Sequence, residues 1–198
     1  MPRPNLKDRR SSEILDACLS CVARYGLDGA TLERIAREAG VKRPLLRHYL
    51  GNRDEMMRRL AAYVVAELDA ATQATGMILA EAERPRDVAE WLLSESGRVG
   101  EDRRLTLAWQ ALAEASDRAP EMRQPLIDAQ NAFLDTLYAA LARLAPCAGV
   151  GEVSAVAQGL ASLRAARHGM QPLDPRGRWE ADLRQAAIML AARLERNG

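Results

Sequence analysis

The sequence predicts an all-α protein, and three observations carry that prediction. Apolar residues recur at helical spacing in one segment after another. No long alternating β-branched run interrupts them, and Gly and Pro fall mostly between the stripes, where helices end. The expected architecture is a small three-helix head on a larger helical body, about nine helices in all. A chain of 198 residues can bury such a core without staples. An odd count of 3 cysteines fits a reducing cytoplasm better than a disulfide framework.

The elements follow in order. Ile14, Leu15, Cys18, Val22 and Tyr25 form one apolar stripe that ends at Gly26, a plausible left-handed cap. Thr31 is placed to cap a short second helix through Leu32, Ile35, Ala36 and Ala39, with Gly40 supplying the turn. Pro44 suits the first turn of a third helix, because its missing N–H would have no intrahelical partner there, and Gly51 closes that helix. Asn52 followed by Glu55 resembles a capping box and opens a long fourth helix through Met56, Leu60, Val64 and Leu68 to about Thr75. Beyond Gly76, the residues Pro85, Gly97, Pro120, Pro146, Gly151, Pro172 and Pro175 are expected to cut the chain into further helices. Their stripes are Val88, Trp91 and Leu92; Leu105, Trp109 and Leu112; Leu126 to Leu141; Val153 to Leu163; and Trp179 to Leu194.

Charge divides the chain. The first 62 residues hold 13 Lys or Arg against 8 Asp or Glu, whereas the remainder holds 15 against 19. A basic first third on a mildly acidic body points to a polyanion contact confined to one module. Two short helices around a Gly-containing turn, with the charge on the second, have the pattern of a helix-turn-helix whose second helix enters the DNA major groove. No uncharged run approaches the roughly 18 residues of a membrane span, and the expected location is the cytoplasm.

The segment from Ile14 to Met56, "ILDACLSCVARYGLDGATLERIAREAGVKRPLLRHYLGNRDEM", resembles the N-terminal signature of the TetR family of bacterial transcriptional regulators. The features that carry the resemblance are the helix end from Ala17 to Gly26, Thr31 with Ile35-Ala36, the Ala39-Gly40-Val41 turn and the Gly51-Asn52-Arg53 step. The resemblance implies a DNA-binding domain over 1–51 and a ligand-binding and dimerisation domain over 52–198. It implies a homodimer that binds operator DNA and releases it when a small apolar effector enters the body. Carried over by position, Arg43, Pro44, Arg47 and His48 would read bases, and Thr31, Lys42, Tyr49 and Arg53 would take phosphates. The chemistry agrees, since Arg can pair bidentately with guanine O6 and N7 while phosphate contacts fix register.

Three positions leave the family's habit. Arg47 stands where a Tyr is usual, which favours operators richer in G·C; Leu45 stands where Thr or a small residue is common and cannot donate to phosphate. Leu50 replaces the usual Phe and is expected in the core. Arg3, Lys7, Arg9 and Arg10 could form a basic arm on the DNA backbone or minor groove.

In the body, Gln130 interrupts the apolar face between Leu126 and Phe133, Trp91 and Trp109 lie on neighbouring stripes, and Gln110 and Asn131 flank them. These five are the candidates for an effector pocket, with ordinary core packing as the alternative. The Ala-rich stripes of the last two helices, about 151–169 and 178–196, become the dimerisation pair by the same resemblance. No metal, cofactor or catalytic residue is expected. Cys18-x-x-Cys21 lies at stripe positions with no second pair, and Gly149-x-Gly151 follows no strand. Only His48 and His168 occur, without a His-Glu-x-x-His or Gly-x-Ser-x-Gly motif, so an enzyme is the weaker reading. An activator, or a regulator that senses no ligand, is the alternative within the same fold.

Overall fold

The computed structural model describes residues 6–94, 102–117, 120–170 and 178–195, with side chains from Arg9 onward. Nine helices and no strands lie among the described residues. They are α1 (Leu6–Gly29), α2 (Leu32–Glu38), α3 (Arg43–Leu50), α4 (Arg53–Ala80), α5 (Pro85–Leu92), α6 (Arg103–Ala115), α7 (Pro120–Leu144), α8 (Val150–Met170) and α9 (Trp179–Glu195).

The chain forms two compact units. Met1–Leu68 and Asp102–Ala129 make the first; Asp69–Glu101 and Gln130–Gly198 make the second. Helices α4 and α7 each contribute residues to both.

In the first unit Ile14, Cys18 and Val22 of α1 meet Ile35 and Ala36 of α2 and Leu46 and Leu50 of α3 in one buried cluster. That cluster does not close at the end of α3. It continues through Met56, Leu60 and Val64 of α4, Ala108 and Leu112 of α6, and Met122 and Leu126 of α7. A polar clasp accompanies the contact between α1 and α6. The Arg104 guanidinium donates to Asp16 Oδ1 and Oδ2 at 2.9 and 3.2 Å, to Ser20 Oγ at 2.7 Å and to Asp102 Oδ2 at 2.6 Å. Hydrogen bonding to this cation holds the Asp102 carboxyl below its ordinary value, and the same partners raise the Arg104 pKa.

Local conformation follows the punctuation residues. Gly26 has φ 70° and ψ 175°, not the expected left-handed cap conformation but a region open in practice only to glycine, so α1 kinks there before its last turn. Thr31 Oγ1 then accepts from Arg34 N at 3.3 Å, the expected cap of α2. Gly51, at φ 80°, ends α3, and a Cβ there would come within 2.9 Å of Glu55 Cγ. Half of the expected capping box forms at α4: Asn52 Oδ1 accepts from Glu55 N at 2.9 Å. The Glu55 carboxylate turns instead to Arg58 and Arg59, at 2.6 and 3.0 Å.

The second unit is built on Leu79, Val88, Leu92, Leu137, Leu141, Val156, Leu160, Ala187 and Leu194. Arg86 pairs with Glu195 across α5 and α9. Arg143 Nη2 donates to Leu79 O and Ala82 O, both at 3.0 Å, which satisfies carbonyls at the end of α4.

Several expected breaks are absent or displaced. Helix α4 continues past Thr75 to Ala80 with Gly76 inside it. A Cβ at Gly76 would lie 3.3 Å from Thr136 Cγ2, so this glycine allows α7 to approach closely rather than ending a helix. Gly151, by contrast, sits in the first turn of α8 at the expected start, and Pro85 and Pro120 open α5 and α7. Gly97, Pro172 and Pro175 lie outside the described residues. Tyr25, placed on the core stripe of α1, is exposed, because its ring carries the Arg34 guanidinium 4.7 Å from its centroid. Arg9 and Arg10 belong to α1 and pair with Glu13 at 3.3 and 2.7 Å, so they are not part of a free arm; Arg3 and the Lys7 side chain lie outside the described residues.

Candidate nucleic-acid interface

Helix α3 has two faces because its two buried side chains, Leu46 and Leu50, are four residues apart. They anchor it in the first unit's core, and Leu50 fills the expected core position with no exposed surface. The rotation fixed by those anchors turns Arg43, Pro44, Leu45, Arg47 and His48 outward, together with Lys42 at the N-cap. Pro44 occupies the first turn of α3, as expected. Leu45 is 40% exposed, a methyl-bearing surface among cations. His48 and Tyr49 meet edge to face, with ring centroids 5.4 Å apart, and Tyr49 is half-buried.

Arg43 Nη1 donates to Glu33 Oε1 of α2 at 2.5 Å, with both side chains exposed. Thr31 is half-buried at the cap of α2; its hydroxyl oxygen accepts from Arg34 N, which leaves the O–H free to donate.

Arg53 differs from the other candidates. Its Nη1 donates to Ala30 O at 3.0 Å and its Nη2 to Leu27 O at 2.5 Å. The guanidinium assigned to phosphate is therefore engaged inside the head, where it ties the start of α4 to the turn between α1 and α2. Sequence reading missed this bond and the Glu33–Arg43 pair alike, since neither separation matches a local helical spacing.

Comparison with known proteins agrees with this geometry. Residues 14–60 match the sequence model for bacterial regulatory proteins of the tetR family. The HTH-type transcriptional regulator BetI of Agrobacterium fabrum is 27% identical over 164 residues, which cover 82% of this chain and 77% of BetI. A TetR-family transcriptional regulator from Cytophaga hutchinsonii has a similar fold, with a TM-score of 0.74 at 11% identity over 96% of this chain and 97% of that one. Through residues 14–60 the chain resembles the TetR family. Another solved structure of similar fold is FadR from Bacillus subtilis in complex with stearoyl-CoA, at TM-score 0.67 and 15% identity over 91% of this chain and 96% of FadR. These relatives are transcriptional regulators.

The chain distributes its effector candidates over both units. Trp109 and Gln110 belong to the first; Trp91, Gln130 and Asn131 belong to the second. Trp91 and Trp109 are partly buried, each against its own unit's core. Gln110, Gln130 and Asn131 are exposed. The apolar face of α7 runs through Met122, Leu126, Ala129, Phe133, Leu137 and Leu141, so Ala129 takes the inward position expected for Gln130. Gln130 lies one residue, about 100° of helical turn, away from it.

Cys18 and Cys21 are buried in the core of the first unit. Burial pushes both thiols up, Cys18 to about 12, which leaves no reactive thiolate at neutral pH. Among the described residues, no group of three or more His, Cys, Asp or Glu could hold a metal, and no helix is long and apolar enough to cross a membrane.

Proposed function

We propose that this chain is a TetR-family regulator, a cytoplasmic repressor that binds a near-palindromic operator as a homodimer and is released by a small apolar effector. The outward face of α3 carries the reading. Arg43 and Arg47 point outward with Lys42 at the N-cap, and no acidic residue lies on the helix. Residues 1–51 serve as the DNA-binding part and residues 52–198 as the regulatory part. Arg43, Pro44, Arg47 and His48 read bases; Thr31, Lys42 and Tyr49 take phosphates; Arg53 supports them from within the head and reaches phosphate only if it leaves the Leu27 and Ala30 carbonyls.

The dimer reading is supported by the outward faces of α8 and α9, where Ala155, Ser162, Ala166, Ala186 and Met189 are exposed. Small side chains let a second copy approach closely, and a two-fold contact would set two α3 helices about 34–36 Å apart, one DNA turn. The apolar-effector reading is supported by the fold shared with FadR, which was solved with stearoyl-CoA. Its candidate contacts are Trp109 and Gln110 in the first unit and Trp91, Gln130 and Asn131 in the second, each unit taken by itself. Effector and operator then oppose each other through one coupling free energy, typically about 1–3 kcal/mol.

Selection from a library of randomised duplexes, followed by binding of the enriched duplex across a salt series, tests the core of this reading. Enrichment of two inverted half-sites about one turn apart is the expected result. Affinity should fall with salt at a slope of roughly −0.9 per phosphate neutralised. Binding without enrichment or salt dependence would overturn it. A long-chain acyl-CoA series supplies the effector arm, where saturating operator should weaken acyl-CoA binding by the factor by which acyl-CoA weakens operator binding.

A further inference from the structure

We propose that Glu33 is a specificity-determining positioning residue, holding the Arg43 guanidinium in the orientation in which it reads guanine. The inference deepens the DNA-binding reading above and rests on it.

Glu33 lies in the first turn of α2, and Arg43 is the first residue of α3. Their side chains meet at 2.5 Å in the open, 65% and 61% exposed. An exposed ion pair of this kind contributes little to folding, because water and salt screen it and two long side chains lose freedom in making it. A carboxylate beside a surface that meets phosphates also opposes binding through charge. Neither effect favours placing Glu33 there.

Geometry supplies what stability does not. Arg43 bonds Glu33 through Nη1. Nε and Nη2, the donors along the other edge of the fork, remain for O6 and N7 of a guanine. An arginine on an exposed first turn otherwise samples many rotamers and must lose that freedom on binding. Held by Glu33, it loses less. The carboxylate also raises the cost of placing Arg43 against a phosphate instead of a base, since the side chain would have to leave its partner. Discrimination therefore increases while overall affinity for DNA does not.

The test compares wild type, Glu33→Gln, Glu33→Lys, Arg43→Ala and the Glu33→Gln/Arg43→Ala double variant by selection from randomised duplexes, with thermal unfolding as a folding control. Arg43→Ala should flatten the preference for guanine at one position of each half-site by about tenfold. Glu33→Gln should flatten the same position, and the double variant should be no flatter than Arg43→Ala alone. Glu33→Lys, which repels Arg43, should do the same. Affinity of Glu33→Gln for a duplex of unrelated sequence should equal or exceed that of wild type, which a merely structural loss would not produce. Retention of the wild-type preference by Glu33→Gln would overturn the proposal. So would a change at a different base pair, since Glu33 would then be reading a cytosine N4 amino group itself. A wild type that enriches no half-site would overturn the DNA-binding reading, and this one with it.

Discussion

Arg43 and Arg53 lie ten positions apart and are used in opposite ways. Arg43 stands exposed at the start of α3, while Arg53 reaches back to the carbonyls of Leu27 and Ala30. Hydrogen bonds from a charged donor to partly buried carbonyls contribute about 1.5–3 kcal/mol each, less where solvent competes. Arg53→Ala is therefore expected to lower stability by about 2 kcal/mol in urea denaturation, with Arg53→Lys between it and wild type. An unchanged midpoint for Arg53→Ala would show that the guanidinium is not fixed there.

Acid provides a second measurement on single residues. Hydrogen bonding to Arg104 holds the Asp102 carboxyl below 3.8, and hydrogen bonding to Arg86 holds Glu195 below 4.5. A carboxylate with a depressed folded value contributes stability that is complete above its unfolded value and is lost as pH falls through the folded one. Urea midpoints should thus decline as pH drops from about 5 toward 2, and Arg104→Gln should flatten the part due to Asp102. The Thr31 cap was legible in the sequence because it depends on near neighbours, and the core position of Leu50 because the resemblance places an apolar residue there. The bonds of Arg53 span 23 and 26 residues, and those of Arg104 to Asp16 span 88, so no local pattern announces them.

At the scale of elements, the helix order was legible wherever a turn residue and a change of stripe coincided, as at Gly26, Gly40 and Gly51. Gly26→Ala is expected to cost about 1–3 kcal/mol, because a Cβ opposes its backbone conformation although no atom lies within 4 Å of the place it would occupy. Circular dichroism during thermal unfolding measures that cost, and a wild-type melting temperature would refute it. Gly76 within α4 misled for a physical reason. A glycine permits both a turn and close helix approach, and only the position of Thr136 on α7 decides between them at Gly76. The exposure of Gln130 has a related origin. A stripe with positions at both three and four residues accepts either 129 or 130, and packing chose the alanine.

At the scale of the molecule, the outward charged face of α3 was legible because the helix is short and bounded by marked turns. The effector candidates were less so, since polar residues near an apolar stripe do not reveal which way they face. If α9 is half of the dimer contact, deleting residues 178–198 should yield monomers in sedimentation; a truncated chain that still sediments as a dimer would remove α9 from that role.

The core shared by α1–α4 with α6 and the start of α7 also bears on transplantation. Cutting after Gly51 to graft α1–α3 onto a foreign body would leave Met56, Leu60, Leu112 and Leu126 behind, and Ile14, Ile35 and Leu46 would lose those partners. Two grafts respect the packing. One exchanges only the outward residues of α3 with Glu33, as a surface on an unchanged scaffold. The other moves both chain segments of the first unit together, so that the donor's specificity arrives with the interior that holds it.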